Sequence, residues 1–185
     1  MCSNEALLPL YPMDSSAAPA AARLNGAVWD SWLTLTRHPR YQHAFDLVGF
    51  TYYCGMAVTP QGQLRTYPPD RQAGPLGYVP WAGGIVPVLD RLHQELPNTR
   101  FVVAELGYGD RGHRDDAAGC AYLDEALGYI ADAQDAGMRI EGVSLWTGID
   151  NYEWEAGFDV SFGLFTRARE PKASADFVHR VIQGR

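Results

Sequence analysis

At 185 residues, with 46% hydrophobic and 20% charged residues, the chain is long enough for one sizeable core and reads as a single soluble globular domain, residues 1–185. Its 15 Lys and Arg against 22 Asp and Glu give a net charge of -7, with no basic stripe to follow a phosphate backbone, so no nucleic-acid partner is expected. Cys2, Cys54 and Cys120 are odd in number and lack C-x-x-C spacing, and no apolar stretch reaches the roughly 18 residues of a membrane span. The expectation is therefore a cytoplasmic protein with no disulfide framework, bound metal or membrane contact.

The chain opens on "MCSNEALLPLYP", where the Asn4-Glu5 pair resembles the way some glycosidases present a catalytic acid at a strand end. A strand is expected here, ending at Leu10. From Ser15 to Leu35, Leu24, Val28, Trp29, Trp32 and Leu33 fall at helical spacing. "DLVGFTYY", residues 46–53, reads as the second strand, followed by a loop rich in Pro and Gly that runs to Pro80. Helical period returns where Ile85, Leu89, Leu92 and Leu96 share a face. "RFVVAE", ending at Glu105, is the third strand, and its unbroken apolar run predicts a strand covered on both sides.

A helix is expected from about Asp116 to Ala136, with Leu123, Leu127 and Ile130 on its apolar face and a stop at Gly137. "IEGVSLW", residues 140–146, is the fourth strand. A long loop then leads to a helix from about Lys172 to Gln183. Roughly four β-α units without an internal repeat imply an α/β fold with a parallel sheet, either a small doubly wound sheet or part of an eight-unit barrel. In both, ligands bind at the C-terminal ends of the strands, where "TYYCG", "AELGYGD" and "WTGIDNYEW" are found.

Glu105 closes an apolar strand and is followed by Gly107. A carboxylate so placed suits the nucleophile of a retaining glycosidase, which works about 5 to 5.5 Å from a second carboxylic acid. A strand-end Glu paired with an Arg, or capping the next helix, has the same pattern. The segment after the fourth strand concentrates Trp146, Tyr152, Trp154, Phe158 and Phe162 with Asp150, Glu153 and Asp159. Aromatic faces stack on the C–H faces of sugars and carboxylates accept from hydroxyls, although a loop packed down by its own aromatics has the same composition.

"WTGIDNYEWEAGFDVSFGLF", followed by "PKASADFVHRVI", closely resembles the C-terminal signature of glycoside hydrolase family 1, the β-glucosidase family. "VVAELG" is similar to that family's nucleophile motif, "DLVGFTYY" and "GYVPWAGGI" to its preceding motifs, and "LLPLYP" to the segment at its fifth strand. The resemblance implies the C-terminal half of a TIM barrel, strands five to eight, and a retaining β-glycosidase acting on a β-glycoside or oligosaccharide without a cofactor. By it Glu105 is the nucleophile and Tyr53 the phenol bonded to it. Trp146 is the platform under the glycone, Glu153 accepts from sugar hydroxyls, and Trp154 makes a further hydroxyl contact.

The chain departs from the family pattern where the usual Thr and Asn beside the nucleophile are Ala104 and Leu106, the usual Asn before Tyr-Tyr is Thr51, and a usual Arg is Gly119. The strands that carry the acid/base have no counterpart. Glu5 does not fill that role by pattern, because Ala6 rather than Pro follows it and "LLPLYP" assigns it to the fifth strand. The resemblance thus predicts activity only when a complementary N-terminal half, or a second copy, completes the barrel. A β-glycoside-binding protein without turnover and an inactive remnant are the alternatives.

Overall fold

A computed structural model describes residues 2–41, 44–111 and 116–184. Four parallel strands form the main sheet in the order β1 (Cys2–Ala6), β3 (Leu47–Tyr52), β6 (Arg100–Leu106), β7 (Arg139–Leu145). β1 and β7 are its edges. A second sheet holds β2 (Leu10–Pro12), β4 (Gly55–Val58) and β5 (Leu64–Tyr67). The expected opening strand is therefore two strands. β1 ends at Ala6, and Leu10 pairs with Met56 in the other sheet. The loop expected up to Pro80 contains the antiparallel β4–β5 hairpin, whose short, partly exposed strands leave little periodic signal.

The helices are α1 (Ala18–Asn25), α2 (Ser31–Arg37), α3 (Ile85–Glu95), α4 (Ala117–Asp135) and α5 (Ala173–Ile182). A π-helical turn at Gly26–Asp30 separates α1 from α2, so the single helix expected over 15–35 is two helices around a widened turn. That turn carries Trp29, which is 2% exposed and donates its indole N–H to the Leu8 carbonyl. α4 stops where Gly137 takes φ 98°, a left-handed conformation that costs glycine nothing.

The main core lies between the sheet and one layer of helices. Phe50 and Tyr52 of β3 and Phe101 and Val103 of β6 meet Leu33, Ile85, Val88, Leu92, Leu123 and Ile130. Each large aliphatic or aromatic side chain buried in this way contributes about 1.5–3 kcal/mol. The other face of the sheet has a different character. Asn4, Ala6 and Ser144 are exposed there, and Val102, Ala104 and Gly142 are half-buried. This corrects the expectation that β6 is covered on both sides. Its apolar run is buried only at alternate positions, because helices pack on a single face.

One irregularity in β6 governs the site. Val103 pairs with Phe50, but the next pair is Glu105 with Thr51, so Ala104 is an extra residue. In a regular strand Glu105 would lie on the helix-covered face with Tyr52. The bulge transfers it to the opposite face, alongside Thr51, as bulges do when they re-aim a side chain. Glu5 pairs with Phe50 and so lies on the helix-facing side of β1, away from the face that Glu105 shares with Asn4 and Thr51. Its side chain is half-buried.

Candidate active site

Tyr53 follows β3 immediately, and strand alternation sends its ring to the same face as Thr51. Its hydroxyl donates to Glu105 Oε2 at 2.9 Å. Burial, reinforced by this hydrogen bond to the carboxylate, pushes the Tyr53 hydroxyl far above the usual tyrosine range, so it stays a donor. The ring is fixed edge-on by Phe162, with centroids 5.8 Å apart, and by Tyr78 at 6.5 Å.

Trp146 directly follows β7, and its backbone N–H donates to the Leu106 carbonyl, which ties it to the end of β6. A Cβ at Gly107 would lie 2.2 Å from the Trp146 carbonyl oxygen, and one at Gly109 would lie 2.4 Å from the Phe162 ring. These glycines let the end of β6 press against the Trp146 backbone and the Phe162 ring. The Trp146 indole N–H donates to Glu153 Oε1 at 3.2 Å. The backbone of Glu153 pairs in both directions with Gly157, at 2.8 and 2.7 Å, where φ is 61°. A tight turn and an indole together orient the Glu153 carboxylate.

The loop that carries these residues is anchored by a buried ion pair. Lys172 Nζ lies 2.7 Å from Asp150 Oδ1, with side-chain exposures of 3% and 8%. The same oxygen accepts the Gly163 N–H at 2.8 Å. Backbone bonds from Thr147 to Phe162 and from Lys172 to Leu164 close the rest of the loop.

All five residues singled out from the sequence, Tyr53, Glu105, Trp146, Glu153 and Trp154, line one open cleft of about 310 Å³. Trp154 stands at its mouth, 94% exposed. Tyr152 and Phe162, noted in the sequence as part of the aromatic cluster, line it too, together with Leu76 and Tyr78. Leu76 was not singled out from the sequence, and Tyr78 entered only inside the segment "GYVPWAGGI", because both sit in a Pro- and Gly-rich stretch with no periodicity. The available signal was the lone aromatic of "GPLGYVP", beside Gly77 at φ 79°. Glu5 is not part of the cleft's lining.

Thr51 and Asn4 side chains meet at 3.4 Å on the sheet face beside Glu105. Ala104 and Leu106, which flank Glu105, bring no polar group to it. Among the described residues, no cluster of three or more His, Cys, Asp or Glu side chains has metal-binding geometry, and Cys54 and Cys120 are free thiols. No helix of the described residues is long and apolar enough to cross a membrane.

The chain as a whole has counterparts among known proteins. Thermostable β-glucosidase B of Thermobispora bispora is 28% identical over 157 residues, covering 75% of this chain and 33% of that protein. A 6-phospho-β-galactosidase of Streptococcus equi subsp. zooepidemicus is 38% identical over 78 residues, covering 38% of this chain and 17% of that protein. The solved β-glucosidase of Thermotoga maritima in complex with deoxynojirimycin superposes with a TM-score of 0.82 at 18% identity, over 99% of this chain and 49% of that one. The chain thus spans about half the length of that structure and a third or less of these two curated relatives. The family model for glycosyl hydrolase family 1 matches residues 41–185, and the chain belongs to that family.

Proposed function

We propose that the chain is the nucleophile-bearing half of a retaining β-glycosidase, corresponding to strands five to eight of a β/α barrel, and that Glu105 is the nucleophile. The observation that carries this reading is the Tyr53–Glu105 hydrogen bond at 2.9 Å inside a cleft that also holds Trp146 and Glu153. In the first step a Glu105 oxygen attacks the anomeric carbon, the bond to the leaving oxygen breaks, and a glycosyl ester forms. The Tyr53 O–H steadies the carboxylate before attack and the ester carbonyl after it. Trp146 supports the apolar face of the sugar, while Glu153 and Trp154 bond its hydroxyls.

Protonation of the leaving oxygen needs a second carboxylic acid about 5 to 5.5 Å from the nucleophile. Glu153 is committed to the Trp146 indole, and Glu5 lies on the other face of the sheet. In this reading neither of them is the acid, which is supplied by a complementary half-barrel or a second copy set against the open sheet face and the edges β1 and β7. A glycoside-binding role without turnover is the second reading, favoured by the apolar neighbours Ala104 and Leu106 beside Glu105.

A 2-deoxy-2-fluoro-β-glucoside with a dinitrophenolate leaving group needs no acid assistance, so it tests the nucleophile alone. Intact-mass and peptide mapping should find one fluoroglucosyl unit on Glu105. A labelled peptide elsewhere, or saturable binding without any label, would sink the catalytic reading.

A further inference from the structure

The main sheet ends on β1 and β7, and among the described residues no further strand lies beside either. Its four strands all run parallel. A half-turn about an axis along the strands therefore sets β7 of one copy beside β1 of another in the same sense, at both seams. Two copies related in this way supply the eight parallel strands of a closed barrel. The helices cover one face only, so they form the outer ring and the open face lines the interior.

The helix layer points to the same partner. Arg37 of α2 is paired with Glu95 of α3, and α4 packs on both α3 and α5. The outer helices are thus α2 and α5. Among the described residues, the helices expose large hydrophobic side chains only on these two: Leu35 at 58% on α2, and Val181 at 45% and Ile182 at 74% on α5. Leu35 lies in the last turn of α2, whose Thr36 shares a hollow with Val48 and Arg100 near the starts of β3 and β6. α5 begins beside Lys172, which is bound to Asp150 in the loop after β7, and runs back from there to Ile182. Both apolar ends therefore stand at the level where the strands begin. In a two-fold ring α5 of each copy neighbours α2 of the other, and Ile182 meets Leu35 at both seams.

The strand order decides what such a ring does to the site. In a ring of eight, β6 lies four places from β6 of the second copy, which is directly opposite. The bulge turns Glu105 to the open face, so the two Glu105 side chains face one another across the mouth. We propose that two copies of this chain close one barrel with a single shared mouth, in which Glu105 of one copy is the nucleophile and Glu105 of the second copy is the acid. The proposal rests on the reading of Glu105 as nucleophile and names its partner. Two carboxylates gathered in one mouth do not both ionise, so one of them carries a proton. That proton passes to the leaving oxygen while the other Glu105 bonds to the anomeric carbon. Water then gives a proton back to the second copy's Glu105, and its oxygen displaces the ester. The sugar rests on Trp146 of the copy that attacks, so one mouth holds one glycosyl ester at a time.

Light scattering on the full chain should give twice the 20.4 kDa of one chain. Saturating dinitrophenyl 2-deoxy-2-fluoro-β-glucoside should label half of the chains by intact mass, and methyl β-glucoside, whose leaving group needs an acid, should be hydrolysed. Leu35→Asp combined with Ile182→Asp alters only exposed side chains at the seams. It should give a monomer whose hydrolysis of methyl β-glucoside falls by about a hundredfold or more, the usual worth of general-acid help. A parent that is monomeric, that takes the label on every chain or that leaves methyl β-glucoside intact overturns the shared mouth, as does a double variant that stays dimeric or keeps its hydrolysis within threefold. Label on Glu105 in any of these cases leaves the nucleophile standing. A parent with no label on Glu105 removes the nucleophile reading, and the shared mouth with it.

Discussion

The Tyr53 hydroxyl donates to Glu105 Oε2 across 2.9 Å, joining the residue after β3 to the penultimate residue of β6. The two strands are hydrogen-bonded neighbours, and the β6 bulge brings Glu105 level with Thr51. The bond orients the carboxylate without bringing a cation beside it. Tyr53→Phe removes only this donor. A hydrogen bond to a charged group is worth about 1.5–3 kcal/mol, so labelling of Glu105 by the fluoroglucoside should slow by roughly ten- to a hundredfold. Stopped release of dinitrophenolate measures it, and a rate within threefold of the unaltered chain would remove Tyr53 from the mechanism.

Alkaline stability follows from the tyrosines around the site. Burial raises the hydroxyls of Tyr52, Tyr53, Tyr78 and Tyr122 far above their ordinary range, and pushes the Cys54 thiol up to about 11. A group whose pKa is higher in the folded state contributes stability that is complete below its unfolded value and is lost as pH rises through the folded one. Loss should begin above about pH 8.5, where an unfolded cysteine ionises, and steepen above about pH 10, where unfolded tyrosines do. Urea midpoints between pH 8 and 11 should fall, and Tyr53→Phe should flatten the curve above pH 10.

The Lys172–Asp150 pair makes a directional prediction. Lys172→Met leaves the Asp150 carboxylate buried at 8% exposure, hydrogen-bonded by the Gly163 N–H but without its cation, and should destabilise the fold by about 3–5 kcal/mol. Adding Asp150→Asn should recover much of that loss, because the uncompensated charge is gone. Urea unfolding of the three proteins decides it. A single variant as stable as the parent would mean that the pair does not anchor the loop.

Two glycines should respond in opposite directions to the same change. Gly107→Ala drives a methyl into the Trp146 carbonyl oxygen and should cost about 1–3 kcal/mol while displacing Trp146 from Glu153. Gly128 lies exposed within α4 with nothing within 4 Å of an added Cβ, and Gly128→Ala should stabilise by about 0.5–1 kcal/mol. Thermal melts with tryptophan fluorescence report both.

Assembly follows from the sheet. Its edges β1 and β7 have no further strand beside them among the described residues, and Asn4, Ala6 and Ser144 on one face are exposed. Backbone donors and acceptors on parallel edge strands favour pairing with another chain. Light scattering should give a mass above the 20.4 kDa of one chain, and a strictly monomeric protein at high concentration would overturn self-association.

The order of strands and helices was legible because the helix layer imposes period on what it covers. Ile85, Leu89, Leu92 and Leu96 read as one face and are all buried. The aromatic and acidic loop after β7 was also legible, since Trp146, Glu153 and Trp154 are close in sequence and need only a turn to share a cleft. The β4–β5 hairpin and the π-helical turn were not, because short or interrupted elements give too few repeats to establish a period.

The sequence by itself determined the alternation of strands and helices, the family, and which residues gather at the strand ends. Only the tertiary structure decided which face those residues serve. Alternation alone would send Glu105 to the helix side with Tyr52. The extra residue at Ala104, visible only once β3 and β6 are in register, turns it toward Thr51 and the Tyr53 hydroxyl. That choice is not written in any local pattern, because a bulge is a property of two paired strands and not of one.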